Sequence, residues 1–321
     1  MKIALLALTD AGKTLAGRLC RALPDATLLE ERGKVAEILR NNWSRYDGFI
    51  CIMATGIVVR SIAPLLQDKR KDPCTVVMDQ DGNYAVSLLS GHLGGGNELA
   101  LLATKISGGQ AVITTASDVT GHTALDLWAR DHDMAVADKN RLTTAMAVLV
   151  NQGRIHVFTE VRLDSWPADF QLVDDPQTAD LLISYYKQIN TIPVHLHPRN
   201  LVVGAGCNRG TATQAFETSL AELCDRHNLA RKAIRNLASI DLKQDEQGLL
   251  EFAAANNWSI NFFAKDELNQ VAEASTSQAV LAATGAKGVA EPAAVLSAKN
   301  GKLLIRKEKW QDVTLAVAVA G

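Results

Sequence analysis

Leu88-Leu89-Ser90-Gly91-His92-Leu93-Gly94-Gly95-Gly96-Asn97-Glu98-Leu99-Ala100 is the stretch that decides the fold. Its apolar start reads as the end of a strand. Four glycines in the six positions from Gly91 to Gly96 read as a loop, and the Ala- and Leu-rich continuation reads as a helix. Strand, glycine turn and helix in that order form the repeating unit of an α/β protein. On either side, short Val- and Ile-rich runs alternate with stretches of helical period. Strands are predicted over residues 2–8, 49–54, 75–79, 84–89 and 111–115, with helices between most of them. Gln80-Asp81-Gly82-Asn83 is the exception, because a DG turn joins two strands as an antiparallel hairpin. The sheet is therefore expected to be mixed and mostly parallel.

From about residue 142 the pattern gives a helix and then strands over 154–158, 180–185 and 192–196. The segment His195-Leu196-His197-Pro198-Arg199-Asn200 reads as a linker, since proline excludes helix from the residue before it. A strand over 201–204 opens a third region, with helices over 213–227 and 278–283 and strands over 258–263, 302–307 and 313–319. The expected organisation is an N-terminal α/β domain over 1–135, a small middle α/β domain with its linker over 136–198, and a C-terminal α/β domain over 199–321.

Composition narrows the class. With 321 residues, 47% hydrophobic and 21% charged, the chain can bury sizeable cores, and two or three domains are expected. Lys plus Arg is 33 against 35 for Asp plus Glu, a net charge of -2, so no global field draws the molecule to nucleic acid or anionic lipid. Any anionic partner must be held by local groups. The longest strongly apolar uncharged run, residues 48–59, has 12 residues, whereas a membrane helix needs about 20. The apolar start is too short for a secretory segment and meets Asp10 and Lys13 at once. Five cysteines, never closer than 17 positions, fit neither a disulfide framework nor a CxxC metal site, and a cytoplasmic location is expected.

Four segments carry candidate chemistry. In the opening stretch, Ser90, Gly91, Gly94, Gly95 and Gly96 let the backbone approach a ligand, while His92, Asn97 and Glu98 supply a base, an amide and a carboxylate. A tight strand-to-helix turn, with Glu98 complementing the helix dipole, is the plainer alternative. Thr55, Gly56 and Arg60 follow a second strand, and an open α/β sheet would bring them to the same crevice as His92. Gly204, Gly206, Arg209, Gly210 and Thr211 follow a third strand. Their GxGxxxG spacing is one residue longer than the dinucleotide fingerprint and suits an anion site built from Arg209 and the amides of Gly210 and Thr211. Glu291, just before Pro292, is either a general base or a helix cap. Two further patterns are weaker. Ala7-Leu8-Thr9-Asp10-Ala11-Gly12-Lys13-Thr14 imitates a P-loop but puts Asp10 where phosphate oxygens would sit. His195 and His197 have metal-like spacing with no third ligand, so no protein-held metal is expected. The five basic residues between Lys299 and Lys309 suit a solvated edge strand.

In order, Ala54-Thr55-Gly56-Ile57-Val58-Val59-Arg60, Ser87-Leu88-Leu89-Ser90-Gly91-His92-Leu93-Gly94-Gly95 with Asn97-Glu98-Leu99-Ala100, Gly204-Ala205-Gly206-Cys207, Arg209-Gly210-Thr211, Ala238-Ser239-Ile240-Asp241 and Gly288-Val289-Ala290-Glu291-Pro292-Ala293-Ala294 resemble the cobalt-precorrin-5A hydrolase family of anaerobic cobalamin biosynthesis. Two positions depart from its pattern: Gly96 stands where alanine is expected, and Asn208 where a second arginine is expected. The resemblance implies a soluble hydrolase that opens the ring-A lactone of a cobalt corrinoid and releases acetaldehyde, giving cobalt-precorrin-5B. It implies no cofactor, because the cobalt is carried by the substrate. The partner is that small molecule rather than nucleic acid or membrane, and a homodimer is left open. On this view His92 or Glu98 activates water, the Gly94–Gly96 amides with Asn97 hold the oxyanion, and Glu291 serves a second proton transfer. Arg60 and Arg209 would hold peripheral carboxylates. A non-catalytic tetrapyrrole carrier and a P-loop-like nucleotide-dependent enzyme are the alternatives.

Overall fold

The structure, a computed structural model, describes residues 1–68, 71–115, 120–187, 194–272, 275–299 and 301–320. They form three sheets with helices packed on them. The chain divides into two compact units, Met1–Trp128 with Leu149–Gly153, and Ala129–Val148 with Arg154–Gly321.

The first unit holds β1 (Ile3–Ala7), β2 (Ala26–Leu28), β3 (Gly48–Ile52), β4 (Cys74–Met78), β5 (Tyr84–Leu89) and β6 (Gln110–Val112), in the order β2-β1-β3-β4-β5-β6. Every pairing is parallel except β4 with β5. β3 shows why. All five of its residues are buried, and they alternate between two cores: Ile50 and Ile52 face one, Phe49 and Cys51 the other. A strand apolar on both faces needs helices on both sides. The antiparallel hairpin forms where the DG turn predicts it. Gly82 takes φ +76°, and the Asp79 carboxylate accepts from the N–H groups of Asp81 (3.0 Å) and Tyr84 (2.7 Å). Burial pushes the Asp79 pKa up, but hydrogen bonds from the turn N–H groups outweigh it and hold the group below its ordinary value.

The second unit contains two sheets. The middle one orders β7 (Met134–Val136), β8 (Ile155–Thr159), β9 (Phe170–Leu172), β10 (Leu181–Ile183) and β11 (Val194–Pro198) as β7-β11-β10-β8-β9, with only β7 antiparallel to its neighbour. Residues 192 and 193 of the strand expected over 192–196 lie outside the described residues. The segment read as a linker is strand for most of its length: His195 and His197 are buried in β11, which pairs with β10 and β7. Proline's demand for an extended predecessor is met equally well by a strand next to a chain turn. The last sheet orders β12 (Leu201–Cys207), β13 (Ile234–Ile240), β14 (Ser259–Phe263), β15 (Lys302–Lys309) and β16 (Val313–Val319) as β14-β13-β12-β16-β15, with β15 at an edge. Along β12, Leu201, Val203 and Ala205 face one core and Val202 the other. Strands β2, β7, β9 and β13 were not anticipated; the first three have three residues each, too few to show a period of two, whereas β13 has seven, six of them buried, and so shows no alternation of apolar and exposed positions. Among the described residues no helix is long and apolar enough to cross a membrane.

Candidate functional site

The loop after β5 is built by its own backbone. Gly95 N–H donates to His92 O (2.8 Å), Gly96 N–H to Ser90 O (3.1 Å) and Asn97 N–H to Gly91 O (2.9 Å). Two of the three backbone amides expected to hold an oxyanion, those of Gly95 and Gly96, are therefore spent inside the loop. The glycines have steric reasons as well. A Cβ on Gly94 would lie 2.5 Å from Ser90 Cβ, one on Gly91 would lie 2.5 Å from Asn97 Oδ1, and Gly95 has φ +82°. Ser90 itself adopts φ +53°, and its hydroxyl donates to Asp72 O at 3.1 Å. The buried Asn97 side chain donates to Thr115 Oγ1 at 3.2 Å, while Glu98 is exposed in the first turn of the helix Gly96–Ser107.

The loop holds His92 against a partner that the sequence did not announce. His92 Nδ1 lies 3.9 Å from Asp126 Oδ1, at ion-pair distance, and the two side chains are only 11% and 13% exposed. Asp126 sits at the start of the helix Leu125–Asp131, thirty-four positions downstream of His92, with no shared motif to link them. At this distance the carboxylate does not hydrogen-bond Nδ1 but faces the ring as a counter-charge, an arrangement in which a histidine can act as a general base.

Thr55, Gly56 and Arg60 do not join this loop. In register, β5 runs back along β4, so Leu89 lies opposite Thr75 while Ala85 lies opposite Met78. Thr55 follows the other end of β3, whose Ile52 pairs with Met78. The register places Leu89 and Ile52 three residues apart along the strands, roughly 10 Å, with their following loops running off opposite ends. The antiparallel hairpin thus sends the His92 loop to the opposite end of the sheet from Thr55. At the Thr55 end, a cleft of about 430 Å³ opens among Leu8, Thr9, Met53, Thr55, Asp79 and Tyr84. It lies where the order turns at β1 and β3, the switch point at which open α/β sheets take ligands. Thr55 lines this cleft. Arg60 is exposed one turn along the helix Thr55–Ile62, its guanidinium folded over Gly56, and has no ion pair among the described residues. The P-loop imitation is no cradle: Thr9 caps the helix Asp10–Ala22 by accepting from Gly12 N–H (3.1 Å), and Lys13 lies 3.4 Å from Asp10.

In the second unit the GxGxxxG loop already holds an anion of the chain's own. Gly210 N–H donates to Glu246 Oε1 at 2.7 Å, Arg209 pairs with Asp245, and Thr211 Oγ1 donates to Asn208 O at 2.9 Å. Glu246, 3% exposed, also receives Lys243 Nζ at 3.2 Å. Gly204 is buried in mid-strand, where a Cβ would lie 1.8 Å from Ala290 O, so it serves helix packing. Gly206 instead lines a cleft of about 320 Å³ together with Cys207, Lys243, Val289, Lys307 and Trp310. Burial pushes the Cys207 thiol up, and the nearby Lys243 pulls it back in part. Glu291 is 2% exposed in the first turn of the helix Ala290–Ser297. It accepts from Ser275 N–H (2.7 Å), Ser275 Oγ (2.5 Å) and Lys307 N–H (3.1 Å). Burial raises its pKa, but these bonds and the Lys307 charge outweigh burial and hold it below the ordinary carboxylate range. A carboxylate so engaged clasps strand to helix and accepts a proton reluctantly. Among the described residues no three side chains of the metal-ligating types converge as a metal site would need.

Three family models match consecutive regions: the cobalamin synthesis G N-terminal model over residues 37–118, the cobalamin biosynthesis central region over 123–198, and the cobalamin synthesis G C-terminus over 201–318. A cobalt-precorrin-5A hydrolase of Priestia megaterium is 35% identical over 307 residues, covering 89% of this chain and 82% of the relative. One from Salmonella typhimurium is 32% identical over 343 aligned residues, covering 99% and 97%. Among solved structures, a cobalamin biosynthesis protein G homolog from Sulfolobus solfataricus aligns with 100% of this chain and 97% of its own at 21% identity, TM-score 0.40. CobE, from the cobalamin biosynthetic pathway, aligns with 37% of this chain and 89% of its own at 31% identity, TM-score 0.35.

Proposed function

Since the chain belongs to the cobalt-precorrin-5A hydrolase family and is a hydrolase of cobalamin biosynthesis, we propose that it opens the ring-A lactone of cobalt-precorrin-5A and releases acetaldehyde. The observation that carries the reading is the pairing of His92 with Asp126 in a half-enclosed glycine loop. Water adds to the lactone carbonyl as His92 Nε2 takes its proton, and the ester C–O bond breaks to leave a carboxylate and a carbinol. Asp126 steadies the imidazolium that forms. In the second step the carbinol loses its proton, the C–C bond to the macrocycle breaks, and the electron pair passes into the ring as acetaldehyde leaves. The cobalt belongs to the substrate, and the macrocycle is its own electron sink.

With the loop amides occupied, donors for the oxyanion are sought outside Gly95 and Gly96. Glu98, exposed, is the second candidate for the water-activating base, and Glu291 is the weaker candidate for the later proton transfer because its oxygens are engaged. The test is to incubate purified protein with cobalt-precorrin-5A and measure acetaldehyde. Stoichiometric release by the wild type and its loss in His92→Ala is the expected result. Binding of the corrinoid without release would make the chain a carrier and overturn the hydrolytic reading.

A further inference from the structure

The cleft of the second unit has chemistry that the hydrolytic step does not use. It is lined by the apolar residues Ile240, Val280, Val289 and Trp310 together with Lys243, Lys307 and Lys309. The Trp310 indole N–H donates to Glu222 at 2.8 Å and its ring lies under the Arg226 guanidinium. These lysines differ in how they are satisfied. Lys243 is buried and already neutralised by Glu246 at 3.2 Å. Lys307 Nζ donates to a carbonyl, Ser275 O at 3.1 Å, and Lys309 is exposed. Among the described residues neither Lys307 nor Lys309 has a carboxylate within ion-pair distance. The acid on the wall, Asp312, accepts from Asn208 Nδ2 at 2.9 Å, and Glu291 spends its oxygens on backbone and hydroxyl donors. Two cations with no ion pair among the described residues therefore line a partly apolar recess, the Lys307 charge acting also on Glu291.

We propose that this cleft binds an edge of a carboxylate-bearing planar ring, with Lys307 and Lys309 taking the carboxylates and Ile240, Val280 and Val289 packing on the ring. At about 320 Å³ it matches the low end of small-molecule sites, enough for one substituted edge of a tetrapyrrole but not the whole. Lysine suits this task, because a flexible point charge follows side-chain carboxylates of varied reach. As a site for the macrocycle, the assignment rests on the corrinoid reading given above. It moves the anchoring of carboxylates in this unit from Arg209, which is occupied by Asp245, to the lysines of β15.

The experiment uses the full chain and uroporphyrin, a stable tetrapyrrole with a carboxylate on every peripheral side chain, titrated by quenching of tryptophan fluorescence. Trp310→Phe identifies the responding residue. Cobinamide, whose side chains are amides, is the uncharged comparison. The Lys307→Ala/Lys309→Ala double variant is expected to weaken uroporphyrin binding by at least about tenfold, and salt is expected to weaken wild-type binding further. Lys309→Glu, at an exposed position that leaves the fold intact, is expected to weaken it too, while cobinamide responds to none of these changes. Equal uroporphyrin affinity in wild type and both variants, or no quenching of wild type, overturns the proposal. Acetaldehyde release from cobalt-precorrin-5A is followed in parallel. Lysine-dependent binding without release leaves the cleft standing and removes the hydrolytic reading. Release with KM unchanged in the double variant does the reverse.

Discussion

His92 is a base candidate because of what stands at its Nδ1, so Asp126 can be separated from it by substitution. His92→Ala is expected to lower turnover by about 100- to 10,000-fold, the usual worth of general-base catalysis. Asp126→Asn is expected to lower kcat by a smaller factor while leaving KM unchanged, since an amide no longer faces the ring with a charge. Asp126→Glu should recover part of the loss. An unaltered kcat in Asp126→Asn would remove its positioning role. Gly94 makes a separate point. Its missing side chain leaves room for Ser90, and a Cβ there would meet Ser90 Cβ at 2.5 Å and Ser90 O at 2.6 Å. Gly94→Ala is expected to cost about 1–3 kcal/mol and to displace His92, visible as a lowered denaturation midpoint together with lost turnover.

At the level of elements, one antiparallel pairing separates what a wholly parallel sheet would have gathered. β5 reverses after the Asp79 turn, and its following loop leaves the switch-point cleft of Leu8, Thr9 and Thr55 for the far end of the sheet. In the second unit the helix Ala290–Ser297 lies so close on β12 that Gly204 has no space for a methyl group. Gly204→Ala is expected to destabilise the protein by more than about 3 kcal/mol, measured by chemical denaturation. Gly206→Ala, where a Cβ finds neighbours no closer than 3.9 Å, should be tolerated in stability and register only in ligand binding. The buried strand β11 carries its own liability. Burial, and secondarily the neighbouring His197, push the His195 pKa down to about 3, and both its ring nitrogens lack hydrogen-bond partners among the described residues. The folded protein therefore holds His195 neutral. Its share of stability is complete above pH 6.5, its unfolded value, and is lost as the pH falls toward 3, because the unfolded chain takes up a proton that the native one refuses. That slope is about 1.4 kcal/mol per pH unit for one group. His195→Leu is expected to flatten the acid side of the stability curve and to cost little at pH 7, as measured by urea midpoints between pH 7 and 4.

Over the whole molecule, a net charge of -2 leaves any recognition of a polyanion to local cations, and cations with no ion pair among the described residues stand on β15 and at Arg60. The alternating α/β class, the mixed first sheet, the hairpin and the closing strand pair were legible in residue order, because burial on two faces and a DG turn are local demands that sequence states directly. The linker was misread because Pro198 forbids helix without distinguishing strand from loop. The glycine loop is singled out by sequence, but the acid beside it is not: His92 stands there by residue order, while Asp126 reaches it from a helix with no periodic relation to the loop. The tail lysines were read as a solvated edge, since nothing in the run Lys299 to Lys309 shows which of them line a cleft. What the sequence by itself determined was the secondary structure, the turns and the family pattern, each fixed by near neighbours along the chain. Which carbonyls consume the loop amides, which acid faces His92 and which cations line a cleft were decided only by tertiary structure, because strand pairing brings together residues whose separation in sequence carries no signal of contact.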